Sequence, residues 1–193
     1  MEMSKVFTGK DIFNEKLEGI TVSGYYDYFE IDSSIICKCD FSNSNLQGVD
    51  ISKSEVNLSN FSNVDLTDHS YKKVSFKECT MVGVDFSSSF LEDVIFDKCN
   101  LNYANFSGCN FKKVKFTDCK LDDVSFNEVK WKGFVIEDSS LRSVEFFKTS
   151  LKELDVSSCD ISDIRVAADG LRGLVVSCEQ ALMLSTLLGI KIK

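Results

Sequence analysis

Cysteine and histidine are the residues of this chain with the most obvious potential for chemistry. Eight cysteines occur, and their thiols could form disulfides, bind a metal ion or act as nucleophiles. Nucleophilic catalysis requires a base, yet the chain has one histidine, His69, and neither a Ser/His/Asp arrangement nor a Gly-rich phosphate loop. Cys37 and Cys39 are too close in sequence for a zinc knuckle. We therefore predict no catalytic residues, no metal site and no cofactor.

Most of the cysteines belong to a pattern with a period of twenty residues. One column of this pattern contains only serine and cysteine: Cys39, Ser59, Cys79, Cys99, Cys119, Ser139 and Cys159. Thiols stacked in line point the same way and do not converge on one ion, so we interpret the column as core packing. His69 also falls at an inward position, where it is either a hydrogen-bonded core residue or part of a coil that bulges.

A shorter repeat underlies this period. Every fifth residue from Ile31 to Val176 is apolar, without an insertion or deletion, and a second, usually small residue lies two places before each one. Helices have a period near 3.6 and strands a period of 2, so a period of five predicts a chain that turns a corner after each repeat. Four repeats make a coil of twenty residues, and stacked coils would bury a phenylalanine ladder at a spacing of about 4.8 Å. Such repetition indicates a solenoid.

Several repeats resemble the A(D/N)LXX consensus of the pentapeptide repeat family. These are CDFSN at 39–43, VDFSS at 84–88 and YANFS at 103–107. The resemblance extends over residues 31–176. It implies an all-β fold, a right-handed quadrilateral parallel β-helix. In this fold the apolar residue at every fifth position, which we call the central residue, and the small residue two places before it point inward, and the narrow core has no ligand pocket.

Both ends of the chain depart from the repeat. Phe7, Ile12, Leu17 and Val22 lie five apart in another register, and we expect the shift near GYYDYF at 24–29, as an irregular coil or a bulge. We therefore assign residues 1–30 to an N-terminal cap with out-of-register first coils, 31–177 to the β-helix, and 178–193 to a C-terminal helix and tail. The helix is expected to cap the solenoid and to dimerise through Ala181, Leu182, Leu184, Leu187, Leu188 and Ile190.

The C-terminal segment QALMLSTLLGIKI at 180–192 resembles the end of the Qnr quinolone-resistance proteins. KWKGF at 130–134 and VFTGKDI at 6–12 resemble two further Qnr stretches. This resemblance implies a homodimer joined at the C-termini that mimics DNA, binds DNA gyrase or topoisomerase IV, and protects it from quinolones or a natural toxin. The chain lacks the two loops of the plasmid-borne Qnr proteins, as do MfpA-like relatives that also act on gyrase.

The outward-facing charges sort onto four sides by the period of twenty. Side 4 has seven acidic against three basic residues, sides 1 and 2 each have five against two, and side 3 has nine basic against four acidic residues. The columns that define sides 1 to 4 contain, in order, Phe41 and Phe61, Leu46 and Leu66, Ile51 and Tyr71, and Val56 and Phe76. The acidic residues predicted to bind a topoisomerase are Asp40, Glu55, Asp65, Asp68, Glu78, Asp85, Asp97, Asp118, Asp122, Asp123, Glu128, Glu137, Asp138, Glu145, Asp155 and Asp160.

Composition restricts the other partners. A net charge of −8 disfavours direct nucleic-acid binding, and no apolar run is long enough to span a membrane. MEMSKVFTGKD has no apolar signal-peptide core, which predicts a cytoplasmic location. Basic side 3 is expected to face away from the topoisomerase or to contact an acidic partner. The alternative function is a scaffold that binds another protein without affecting topoisomerases, because a fold does not specify a function.

Overall fold

Parallel pairing between successive coils builds the molecule. A computed structural model of the chain describes residues 10–22, 24–26, 28–46 and 48–191. Residues twenty apart pair along the solenoid: Phe111 lies beside Leu91 in one neighbouring coil and beside Trp131 in the other. This offset confirms the predicted four-sided coil, and the chain is a mostly β, parallel solenoid.

Strands occupy sides 3 and 4, whereas sides 1 and 2 contain tight turns joined by isolated bridges such as Asn60 with Thr80 and Asp65 with Asp85. A short 3-10 helix spans Ala168–Leu171, and its last residue lies in the column that defines side 3. The strands are β1 Ile12–Phe13, β2 Lys16–Glu18, β3 Phe29–Asp32, β4 Ile35–Cys37, β5 Val49–Ser52, β6 Glu55–Asn57, β7 Ser70–Lys72, β8 Ser75–Lys77, β9 Phe90–Asp97, β10 Asn110–Thr117 and β11 Lys130–Glu137.

The corners depend on left-handed backbone conformations. The residue two places after the central one has a positive φ on side after side, as in Asn63 (56°), Lys113 (55°) and Asp123 (56°). Asparagine and aspartate tolerate this region, whereas a lysine there costs about 1–2 kcal/mol. The stacked core offsets that cost, since each corner allows two side chains of the next side to be buried.

Phenylalanine rings form the predicted ladders in the core. Phe86, Phe106 and Phe126 stack with centroids 5.2 and 5.3 Å apart, and each ring pair is within 10° of parallel. Phe76, Phe96 and Phe116 form a second stack. Its rings meet those of the first stack edge-on, and the ring centroids of Phe96 and Phe106 are 6.0 Å apart. Offset stacks and edge-on pairs are the preferred ring geometries, so the ladders add specific contacts to apolar burial.

Trp131 departs from the prediction that all central residues point inward. It is only partly buried, because Phe134 occupies the core from a position that is usually small. The Phe134 ring lies 5.2 Å from that of Phe111 and 5.5 Å from that of Phe126. The displaced indole donates from Nε1 to the carbonyl oxygen of Ser150 at 2.7 Å.

The N-terminal register shift is a missing residue. Thr21 pairs with Asp40, nineteen residues away, whereas Tyr25 pairs with Asn45 at the usual twenty. The shift therefore lies between Thr21 and Tyr25, slightly before most of the expected stretch 24–29, and no extra residue bulges out. Phe7, the first residue of the N-terminal series, lies outside the described residues.

A helix closes the C-terminal end of the solenoid. The helix α1 spans Cys178–Ser185, continues as a 3-10 turn over Thr186–Leu188, and ends at Gly189, whose φ is 71°. Ser177 and Gln180 form a reciprocal capping box, in which each side chain accepts from the other's backbone N–H. Gln180 Nε2 also donates to the carbonyl oxygens of Val156 (2.9 Å) and Cys159 (2.7 Å), which fixes α1 to the coil below. None of the described helices is long and apolar enough to cross a membrane.

Candidate interaction surfaces

The cysteines are embedded in the core rather than assembled into a reactive site. Six of the eight thiols are buried, Cys37 is partly buried and Cys178 is exposed. Burial raises the pKa of Cys109 to about 12, and its thiol donates to the carbonyl oxygen of Phe86 at 3.0 Å. In the predicted column, the hydrogen bond with Cys99 lowers the pKa of Cys79. Over the described ranges, no group of three or more His, Cys, Asp or Glu side chains could hold a metal ion.

His69 lies beside a carboxylate at the surface of side 3. Its Nδ1 is 3.5 Å from Oδ1 of Asp50, and the same oxygen accepts from the backbone N–H of Ser70 at 2.9 Å. The backbone N–H of His69 donates to Ser89 Oγ at 3.2 Å. His69 is a bulky side chain at a position that is usually small, and these contacts stabilise its coil. We therefore interpret His69 as a structural residue.

Side 4 presents the densest set of free carboxylates. Of its seven acidic residues, Glu137 is paired, with its carboxylate 2.8 Å from Lys115 Nζ. The others have no ion pair within the part of the chain that the structure describes, and all but Asp97 are fully exposed. They span six successive coils: Glu55, Glu78, Asp97, Asp118, Asp138 and Asp155.

Sides 1 and 2 are less available than their charge suggests. Asp160 binds Arg142 at 2.6 Å, Glu128 binds Lys148 at 2.7 Å, and Glu145 and Asp123 share Arg165 at 3.1 and 3.7 Å. Hydrogen bonds from Ser162 and Arg142 lower the pKa of Asp160 to about 2. Together with Glu137 of side 4, five of the sixteen predicted acidic residues are therefore in ion pairs. Among the described residues, the unpaired members on these two sides are Asp40, Asp65, Asp68, Asp85 and Asp122.

Basic side 3 divides into a paired and an unpaired part. Lys112 bonds to Glu92, Lys113 lies 3.5 Å from Asp93, and Lys53 lies 3.0 Å from Asp32. Lys72 has its ammonium 5.8 Å from the ring centre of Phe90. Over the described ranges, Lys73, Lys130, Lys132 and Arg172 have no ion pair.

The C-terminal cap exposes an apolar face. Leu184, one of the predicted dimerisation residues, is instead buried against the solenoid and offers no surface to a partner. Ala181, Leu182, Leu187, Leu188 and Ile190 are exposed, with Leu182, Leu188 and Ile190 more than half accessible. Met183, which the sequence reasoning omitted, is 46% exposed on the same face. Its position four residues before Leu187 is the signal that could have identified it.

Two sequence models of the pentapeptide repeat match this chain. The pentapeptide repeat region matches residues 69–154, and the model of eight pentapeptide repeat copies matches residues 33–63. Together they cover more than half of the sequence, and the chain belongs to the pentapeptide repeat proteins. A search of curated proteins gave no match.

Comparison with solved structures gives matches that extend over most of the chain at low identity and low TM-score. Full-length QnrB1, a plasmid-mediated fluoroquinolone resistance protein, is 20% identical, with 93% of this chain and 100% of that chain covered and a TM-score of 0.34. HetL, which is involved in heterocyst differentiation regulation in the cyanobacterium Nostoc sp. strain PCC 7120, is 12% identical, with 89% and 90% covered and a TM-score of 0.34. Identities this low concern the fold and not the function.

Proposed function

We propose that this protein is a non-enzymatic DNA mimic that binds a type II topoisomerase, DNA gyrase or topoisomerase IV, and protects it from quinolones or a natural toxin. The observation that carries the proposal is the set of six unpaired carboxylates on side 4, Glu55, Glu78, Asp97, Asp118, Asp138 and Asp155. Side 4 is therefore the principal contact surface, and the paired acids of sides 1 and 2 contribute little.

The physical argument is one of charge and rigidity. A DNA-binding groove attracts phosphates with clustered lysine and arginine, and a row of carboxylates on a stiff rod presents a comparable field. Coils repeat at about 4.8 Å, so the six acids extend over roughly 24 Å of the rod. Because the core is packed, the solenoid holds these charges on a backbone that needs no ordering on binding.

The target and the assembly come from the Qnr-like C-terminus. Its resemblance to the Qnr segment favours a topoisomerase, and the apolar face of α1 supports a homodimer joined end to end, which doubles the charged rod. Basic side 3 would face away from the enzyme. The protein would act in the cytoplasm, without binding nucleic acid directly.

Gyrase supercoiling in the presence of a quinolone, across a titration of the protein, tests the proposal. Restored supercoiling would support protection, whereas inhibition without rescue would retain the DNA mimic and remove the resistance role. No effect from a folded protein would favour the alternative, a scaffold for another partner, to which the absence of Qnr-type loops already points.

A matched pair of variants tests the contact surface. Asp97→Asn, Asp118→Asn and Asp138→Asn together remove three free charges from side 4, and asparagine tolerates the left-handed backbone at 118 and 138. We expect apparent affinity for gyrase to fall about tenfold, from the loss of three exposed charge contacts. The control Asp123→Asn, Glu128→Gln and Asp160→Asn removes the same charge from paired positions. Equal losses in both variants would show that net charge, and not side 4, determines binding.

A further inference from the structure

A cluster of free cations lies at the C-terminal end of side 3, where the proposed function leaves it unused. We define it as the basic patch, composed of Lys130, Lys132, Lys152 and Arg172, all of them exposed. Lys132, Lys152 and Arg172 occupy one column in successive coils, about 4.8 Å apart, and Lys130 lies beside them in β11. Lys152 has a weak contact with Glu153 at 3.9 Å, and the other three have no ion pair in the described residues.

The patch differs from the adjoining rows of the same side. In the preceding coils of the same column, Lys72, Glu92 and Lys112 alternate in charge, and Lys112 bonds to Glu92. Like charges stacked directly on neighbouring strands are destabilising, and alternation is the arrangement that stability alone would favour. Three stacked cations, of which Lys152 alone has a carboxylate within 4 Å among the described residues, therefore indicate a surface that gains its counter-charge from another molecule.

The surface beside these cations forms a depression. The depression is lined by Ser150, Leu151, Gly170 and Gly173 together with Lys152, Asp169 and Arg172. The glycines leave the backbone accessible, and Asp169 is the acidic residue in this lining. Acidic sides 2 and 4 flank side 3, so a ligand wider than one side, such as a DNA duplex, would place its phosphates over carboxylates.

The aromatic groups on side 3 argue against single-stranded nucleic acid. Such strands bind by stacking bases on exposed rings as well as by charge. Here Trp131 packs edge-on against Phe134, at 5.9 Å and 69°, with its Nε1 bonded to Ser150, and the Phe90 ring lies beneath Lys72. Neither ring is free to act as a stacking platform. A ligand that offers charge alone fits this surface better.

We infer that the basic patch binds an extended, acidic segment of a partner protein. The stacked cations extend over about 10 Å along the axis, which matches about three residues of extended chain, and an extended chain is no wider than one side of the solenoid. Its recognition by lysine and arginine is electrostatic and independent of the contact made by side 4.

Fluorescence anisotropy of a labelled oligoglutamate peptide tests the inference. We expect saturable binding at low salt that weakens about tenfold or more as ionic strength rises to about 0.5 M. Trp131, the only tryptophan in the sequence, lies between Lys130 and Lys132, and its emission is expected to change during the same titration. No rise in anisotropy at low salt would overturn the inference. Tighter binding of an oligothymidylate of equal charge would reassign the patch to nucleic acid.

Two pairs of neutralised lysines locate the site. Lys130→Gln with Lys132→Gln is expected to weaken peptide binding about tenfold, from the loss of two charge contacts at a low-salt surface. Lys72→Gln with Lys73→Gln removes the same charge from the same side at a distance, and should leave binding within about twofold. Equal weakening would mean that diffuse charge attracts the peptide. Both pairs should leave the gyrase assay unchanged, so this inference and the proposed function can fail separately; circular dichroism checks that the variants fold.

Discussion

At the scale of single residues, volume decides which side chains enter the core. Trp131 is the large residue of its repeat, but Phe134, at a position that is usually small, occupies the core instead. Both rings cannot occupy one layer at close-packed density, so the tryptophan is displaced toward solvent. The spacing of the sequence identified both positions as inward. The spacing could not show that Trp131 would be displaced, because a period indicates which way a side chain points and not how much volume remains in the core layer.

Replacing Phe134 with valine tests this competition. The substitution leaves room in the layer, and we expect Trp131 to turn inward, give up its bond to Ser150 and emit at shorter wavelength. The free energy of unfolding should fall by about 1–3 kcal/mol, less than for an unfilled Phe→Ala cavity. Phe147→Val is the matched control, because Phe147 is 43% exposed on side 2 and its loss leaves no cavity. Unchanged emission, with a loss of stability as large as that of Phe134→Ala, would contradict the explanation.

Charge pairing is a second property of residues that the sequence did not specify. Counting outward charges correctly predicted which sides are acidic and which is basic. Most of the ion pairs, however, join residues eighteen to twenty-two apart, as in Arg142 with Asp160 and Lys115 with Glu137. Their formation depends on side-chain conformations on neighbouring coils. The candidate surface is therefore smaller than the predicted one, since it comprises eleven of the sixteen acidic residues.

At the scale of elements, the repeat determines the coil almost completely. Each five-residue unit supplies two buried side chains and one left-handed corner, and the residue types that recur every twenty positions distinguish the register between coils. This is why the sequence alone predicted the four-sided solenoid and its ladders. The ends contain no such redundancy: the shift between Thr21 and Tyr25 removes one residue, and a single deletion leaves little local trace in composition.

The contact between α1 and the last coil depends on one buried amide. Gln180 donates two hydrogen bonds to the coil and completes the capping box, so Gln180→Ala should leave the carbonyl oxygen of Cys159 and the backbone N–H of Ser177 without these partners. The carbonyl oxygen of Val156 loses one of its two donors and keeps the backbone N–H of Cys159. We expect the local stability of α1 to fall by about 1–3 kcal/mol. Hydrogen exchange over 177–188 measures this loss, and strands β9 to β11 should remain protected. Glu179→Ala, at an exposed neighbouring position, is the control; equal exchange in both variants would show that the amide does not fix the helix.

At the scale of the whole molecule, the solenoid separates its candidate contact surfaces in space. The four sides extend along the axis with different charges, and the apolar face of α1 lies at one end. Contacts through side 4, through the basic patch and through the end can therefore form without obstructing one another. A solenoid also transmits little structural change between its ends, since each coil contacts only its neighbours.

The apolar residues at the C-terminal end of the solenoid predict a dimer. Leu187 and Leu188 are 46% and 53% exposed, and pairing two such faces by a two-fold axis would bury them. Leu187→Glu with Leu188→Glu should convert a dimer to a monomer in sedimentation velocity, because the two acids would face like charges across the interface. Leu58→Glu, at an equally exposed leucine on side 4, should leave the dimer intact. A wild-type protein that sediments as a monomer, or a doubly substituted protein that remains dimeric with its fold unchanged, would show that α1 is a cap and nothing more.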